Sequence, residues 1–475
     1  MPLSPHLRDR VELKITDQPT LRRRVGWTTS GLLGVLTVIV LAAAGGVLWW
    51  KFGATAVRFE ADSTLRGKLE SAELPPLPDA DSGAAGDWPQ WRGPRRDGLS
   101  LETGLNLAWP ATGPKVLWQA DIGDGFATLA VSQGKAVTLT QDGPSEAVVC
   151  WDADTGAELW RYRYPADYVN NFGSGPRSTP TIDGDRVYSV GATGWMHCLN
   201  LRDGTRVWSR NLLTDYGAPN LQWGVSFSPL VEDDLVYTNP GGPEGNSLVA
   251  LHKHTGKEVW KALDDRAGYS SPIAATMHGV RQILFFTGDH LVSVHPRTGE
   301  VFWKYPWITD YGCNIATPIV VGNYVFISSG YNRGCALLEV EKRPDGSLRL
   351  ATGQDGKQFV YEGNQMCNHF STCVYLDGYL YGFNEKKLTC MDFRQGDVIR
   401  WEHRGFDKGA LMIADGHLII LGENGYLAAA QATPEGYREV SNFRFSKDRC
   451  WVVPVVANGK LYVRDLKRVV CYDVR

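Results

Sequence analysis

The sequence predicts an all-β fold: an eight-bladed β-propeller of four-stranded blades, preceded by one N-terminal transmembrane helix. Three observations predict it. A turn glycine, once an aspartate, followed by an apolar β-forming pair recurs eight times at a mean spacing near 46 residues. A second pattern, a strand, a turn glycine and a tryptophan, recurs between those copies. An uncharged apolar run from Trp27 to Trp50 precedes both. The 52 glycines and 17 tryptophans in 475 residues suit many turns and a repeated packing residue, not a helical protein.

The N-terminal elements come first. Residues 1–26 carry six basic and three acidic groups and read as a cytoplasmic basic tail. Residues 27–50 are long enough to cross about 30 Å of hydrocarbon at about 1.5 Å per residue. Arg22, Arg23 and Arg24 abut the start of this run, and basic flanks stay in the cytoplasm. Residues 27–50 are therefore expected to be a signal anchor. The rival is a cleaved signal peptide with Ala42, Ala43 and Ala44 as its small-residue site. Either way the C-terminal part lies outside the cytoplasm, in the periplasm of a two-membrane cell. Residues 51–86 are rich in Pro, Ala and acids and show no apolar periodicity, so a flexible linker is expected there.

The repeats fill residues 87–475. The first pattern stands at Gly134, Gly184, Asp233, Gly279, Gly322, Gly378, Gly416 and Gly459. Each of these residues suits the tight turn of a hairpin, and each following run has strand composition. The second pattern places Trp160, Trp208, Trp260 and Trp303 four residues after Gly156, Gly204, Gly256 and Gly299; Trp401 follows Gly396 by five. These five tryptophans are expected to dock each outer strand on the neighbouring unit. A third pattern with a central proline (STPTI at 178, FSPLV at 227, SSPIA at 270, ATPIV at 316, VVPVV at 452) reads as the innermost strand. A period of 40–50 with four strands per unit is the signature of a propeller blade. The last repeat has only three strands, while the segment around Trp118 is a strand without a blade. It is expected to complete the last blade and close the ring.

These motifs resemble the pyrroloquinoline-quinone (PQQ) repeat family of eight-bladed propellers. The tryptophan-docking pattern is matched by Asp152, Thr155, Gly156 and Trp160, and by Ala250, Thr255, Gly256 and Trp260. The opening motif DWPQWRGPRRDG, from Asp87 to Gly98, resembles the start of bacterial PQQ-like propellers grouped with the outer-membrane assembly factor BamB. The resemblance implies the fold; function is shared out between enzymes and scaffolds on that fold. Two departures stand out. BamB proteins are lipoproteins, whereas the first cysteine here is Cys150. Quinoprotein dehydrogenases commonly carry two adjacent cysteines beside the cofactor, and none are adjacent here.

Candidate chemistry is sparse. A net charge of -3 excludes a general nucleic-acid binder. Cys150, Cys198, Cys390 and Cys471 share one repeat position and read as small buried apolar residues. An oxidising compartment permits disulfides, and Cys313 with Cys335 and Cys367 with Cys373 are the candidate pairs. Cys367, His369 and Cys373 are three ligands and do not close a tetrahedral site, so no metal is expected. The residues just before the inner strands should crowd one mouth of the central channel: Arg177, Trp223, Tyr269, Asn314, His369, Lys408 and Arg449. Three cations with aromatic rings suit an anionic or planar ligand.

The expected function is non-catalytic: a membrane-anchored scaffold for other envelope proteins, in envelope or outer-membrane protein assembly, with no cofactor. One alternative is a quinoprotein alcohol dehydrogenase using PQQ and calcium. Another is small-ligand or glycan binding at the channel mouth.

Overall fold

The computed structural model describes residues 57–75 and 86–475. The basic tail and the expected membrane segment lie outside the described residues. Among the described residues no helix is long and apolar enough to cross a membrane.

Eight antiparallel sheets follow one another along the chain. Blade 1 runs Ala130–Ser132, Lys135–Asp142, Ser145–Asp152 and Glu158–Pro165, from the inner strand to the outer. Blades 2 to 7 occupy 181–211, 230–262, 273–306, 319–363, 374–403 and 409–444. Blade 8 takes three strands from 455–473, and its fourth is the early strand Val116–Asp121. Trp118 faces Cys471 in that pairing. The ring is thus closed by sewing the front of the propeller to its C-terminal end.

The tryptophans dock as a sequence repeat requires. Trp160 donates its indole N–H to the Leu201 carbonyl at 3.0 Å, Trp208 to Lys253 at 2.8 Å, Trp260 to Pro296 at 2.7 Å and Trp118 to Ala153 at 3.1 Å. Each acceptor lies in the next blade. The turn glycine there is the floor on which the indole rests: a Cβ on Gly204, at φ 72°, would meet the Trp160 ring at 2.6 Å. Trp401 repeats the bond to Thr433 at 2.8 Å. Trp303 is buried against blade 5 but bonds Gln282 of its own blade at 3.2 Å. Blade 5 lacks the motif, and Tyr361 substitutes there, donating to Phe393 at 2.9 Å and covering Gly396.

The repeated cysteines sit directly across from those indoles: Cys150 from Trp160, Cys198 from Trp208, Cys390 from Trp401 and Cys471 from Trp118. A small residue there leaves room for the indole. Burial pushes all four thiols up to about 12, so they are inert.

Two expectations are corrected. The 51–86 linker is not extended throughout. Glu60–Ala61 (β1) and Ser63–Ser71 (α1) pack on the propeller. Asp62 caps α1, accepting from the Thr64 and Leu65 amides at 3.0 Å each, and Leu65 and Leu69 are buried in the core of blades 5 and 6. Two leucines make too short a stripe to read as periodicity; the propeller surface stabilises so short a helix. The candidate disulfides are absent as well: all four cysteines are free. Cys335 and Cys373 lie in the core under α1, Cys313 lines the channel mouth, and the Cys367 thiol turns to the Asn364 carbonyl at 3.6 Å.

Candidate functional site: the channel mouth

The inner strands are held around the axis by hydroxyls in the S/T-P motifs. The Thr179 amide donates to the Ser228 Oγ, the Ser228 amide to the Ser271 Oγ and the Thr317 amide to the Thr372 Oγ1, each at 2.9 Å. These hydroxyl residues stand at equivalent places in successive blades and join them. The proline that follows most of them opens the strand without needing to donate.

The opening motif enters this ring. Trp91 donates its indole N–H to the Thr317 Oγ1 at 2.9 Å. Arg92 and Arg96 are buried and donate to carbonyls around the axis: Arg92 to Thr372 and Cys373, Arg96 to Pro229 and Pro272. Burial pulls Arg92 down to about 10 and Arg96 to about 9, so both are charged at neutral pH. Residues 88–98 thus cross the channel as a plug, and Trp91 belongs to the wall of the cavity left at the mouth.

That cavity encloses about 460 Å³. Of the seven expected residues, six line it: Arg177, Trp223, Tyr269, His369, Lys408 and Arg449. Asn314 does not. It is fully buried, donates to the Thr287 and Trp307 carbonyls at 2.7 and 3.1 Å, and accepts from Ser329 at 2.9 Å. It is a structural brace between its loop and blades 4 and 5. Arg177 is committed elsewhere: its guanidinium donates to the Gly173 and Gly175 carbonyls of its own loop and lies 4.6 Å over the Tyr168 ring.

Lys408 and Arg449 are differently placed. The Lys408 ammonium is 4.0 Å from the nearest Glu385 oxygen, outside hydrogen-bond range. Arg449 Nε stands 3.6 Å from Glu423, while another of its N–H groups donates to the Phe172 carbonyl at 3.1 Å and its guanidinium lies 4.7 Å over the Trp451 ring. Burial pulls Lys408 below its ordinary value. Burial also lowers His369 to about 4, with Lys408 adding to the effect, so this imidazole is neutral at pH 7.

Sequence reasoning missed the aromatic wall. Phe126, Trp451 and Phe370 form a graded stack, with centroids 5.5 and 5.3 Å apart. Tyr331 lies 4.7 Å from the His369 ring, and Trp223 5.9 Å from Tyr269. Phe126 holds the blade 1 position equivalent to the seven expected residues and was legible by counting back from its strand. Phe172 and Tyr331 come from loops outside the repeat pattern.

The family model described as outer membrane protein assembly factor BamB matches residues 108–222 and 169–356, together just over half of the chain. Curated relatives are the BamB of Burkholderia pseudomallei, 26% identical over 44% of this chain and 51% of its own length, and that of Shewanella oneidensis, 27% identical over 48% and 54%. The chain thus spans about half the length of these relatives. The quinoprotein ethanol dehydrogenase of Pseudomonas aeruginosa is 25% identical over 45% of this chain and 36% of its own. Among solved structures, the quinohemoprotein alcohol dehydrogenase ADHIIG of Pseudomonas putida superposes with a TM-score of 0.53 at 14% identity, covering 85% of this chain and 83% of that one. That likeness is one of fold. With the blades, the docking tryptophans and the family match together, the chain belongs to the PQQ-repeat propeller family described as outer membrane protein assembly factor BamB.

Proposed function

We propose that the protein is a non-catalytic scaffold in envelope protein assembly, anchored by residues 27–50 with its propeller outside the cytoplasm. The match to the assembly-factor family across 108–356 carries this reading. The partners are other envelope proteins, and the outer-membrane assembly role printed for the relatives is the one assigned here.

The residues at the mouth bear on a quinoprotein activity through the ligands they could offer a metal. Calcium takes six to eight oxygen ligands. Among the described residues Glu423 is the one carboxylate lining the mouth, and it stands 3.6 Å from Arg449 Nε. Among the described residues no three His, Cys, Asp or Glu side chains converge on a metal position. The donor set does not fit calcium, and alcohol oxidation would also need a base positioned to take the hydroxyl proton.

The test is genetic. Cells lacking the protein are expected to contain less folded outer-membrane β-barrel protein, restored by the full chain and not by a chain lacking residues 27–50. Unchanged outer-membrane protein levels would overturn the scaffold role.

A further inference from the structure

We propose that the propeller lies mouth side down on the membrane that carries it, with Ile308 and Tyr311 entering the lipid interface. The inference rests on the anchor assigned to residues 27–50 under the proposed function, and it concerns the loops of the rim, not the cavity.

Exposure is the first observation. Among the described residues the four most exposed large apolar side chains are Val169, Tyr311, Ile308 and Phe172, from 74% down to 50%. They stand on the loops 166–180 and 307–318, which lead from an outer strand to the next inner strand and therefore lie on the mouth face. The exposed apolar residues of the outer strands are single and scattered, as on any protein surface. The rim residues are instead joined: Phe172, Trp223, Tyr311 and Tyr331 form a chain of rings with centroids 6.4, 5.7 and 6.2 Å apart. A connected apolar crest marks a contact surface. Tyr311 and Tyr331 also hold left-handed backbone, at φ 61° and 56°. Bulky residues are costly there, and such strain gathers at functional sites.

Chain length names the occupant. Strand β1 pairs antiparallel with the outer strand of blade 5, Glu60 with Glu362 and Ala61 with Tyr361. That outer strand ends at the mouth, so β1 begins there, and a Cβ on Gly363 would meet the Phe59 ring at 2.9 Å. The chain before β1 thus leaves from the mouth-side corner of blade 5. Seven residue steps separate Val57 from Trp50, the end of the uncharged run, at most about 25 Å of extended chain. Arg333 ties the crest to that exit: its guanidinium donates to the Ile308 carbonyl at 3.1 Å and to Glu362, the partner of Glu60, at 2.8 Å. The apolar rim therefore stands beside the point from which the chain runs to the bilayer. Tyrosine suits the headgroup level, where its ring is apolar and its hydroxyl wet.

The test reconstitutes the full-length protein in phosphatidylcholine vesicles and places an environment-sensitive dye on Ile308→Cys at the rim. The control dye is on Lys257→Cys, in the exposed turn between the third and outer strands of blade 3 on the opposite face. The native cysteines are buried and leave the wild type as an unlabelled blank. A side chain seated about 5–10 Å into the headgroup boundary is reached by bromine-bearing lipid, so the dye at 308 should lose about half its emission or more and the dye at 257 almost none. Tyr311→Asp should abolish the quenching at 308 while melting and vesicle flotation stay as in the wild type. Tyr311→Cys gives the same reading should the Ile308 variant fail to fold. Carbonate extraction separates anchor from docking. A chain retained by the vesicles but unquenched at 308 would leave the anchor standing and overturn the docking. A chain released by carbonate would overturn the anchor, and the docking with it. A dye unquenched in vesicles yet shielded in native membranes would assign the crest to a partner protein and overturn the lipid contact.

Discussion

A tryptophan that reaches across a blade boundary needs a carbonyl to bond, a glycine to rest on and a small residue opposite. Trp208 has all three in Lys253, Gly256 and Cys198. Trp208→Ala should therefore cost about 3–5 kcal/mol in denaturant unfolding, through lost burial and the cavity left behind. A loss under about 1 kcal/mol, the scale of a single hydrogen bond, would show that the indole is not a structural dock. A second test at this scale concerns charge. Glu146 is fully buried, accepting from the Tyr164 hydroxyl at 2.8 Å and the Ala192 amide at 3.0 Å. Burial raises it from 4.5 to about 7. The raised acid stabilises the fold fully below pH 4.5, and that stability is lost as pH rises through 7. The buried His197 ring lies 4.2 Å from the Tyr164 ring, and burial lowers it from 6.5 to about 3. Its stability is present above pH 6.5 and lost as pH falls toward 3. The two slopes oppose one another between pH 4.5 and 6.5. Glu146→Gln should remove the alkaline loss, on the order of 3 kcal/mol between pH 4.5 and 8, and His197→Phe the acid loss. Unfolding curves at pH 4.5, 6 and 8 check both.

The outer strands show how the elements protect their edges. Seven of the eight carry a register shift, in most of them at the residue before the docking tryptophan. Leu159, Val207, Val259 and Val440 are among the residues left out of register, and they are exposed. Bulges of this kind discourage pairing with a stray strand. Blade 5 has a straight outer strand, Tyr361–Gly363, and it is the blade covered by β1. Helix α1 then continues over the core of blades 5 and 6, where Arg394 holds its end by donating to the Leu69 and Ala72 carbonyls. Leu69→Ala should cost about 2–5 kcal/mol of local stability and open residues 57–75 to limited proteolysis while the remaining blades stay resistant. Uniform protease resistance would contradict the latch. The closing strand behaves differently. Deleting residues 113–122 breaks the ring itself and should lower the melting of the whole propeller in one step. Blade number and closure were legible because a turn glycine, once an aspartate, returns in each unit and a docking tryptophan in most of them. The latch was not, because it occurs once and draws its stability from a surface that the linear pattern does not show.

At the scale of the molecule, an eight-bladed ring gathers eight loops at one mouth and leaves the chemistry there to residues far apart in sequence. The positions before the inner strands were legible, since each strand begins at a recognisable motif; six of seven line the cavity. Asn314 failed because its amide is buried and tied to the Thr287 and Trp307 carbonyls and the Ser329 hydroxyl instead of lining the cavity. Trp91 was hidden because the opening motif reads as a start to the propeller and acts as its plug. Topology is open to direct measurement: a reporter fused after Arg475 should be active only where it works outside the cytoplasm, and replacing Arg22, Arg23 and Arg24 with Glu should scramble that orientation. The non-catalytic role is tested most directly by titrating the full-length protein with PQQ and calcium alongside a dye-linked alcohol oxidation assay. A scaffold gives no calcium-dependent heat and no turnover. Saturable, calcium-dependent PQQ binding accompanied by alcohol oxidation would contradict it.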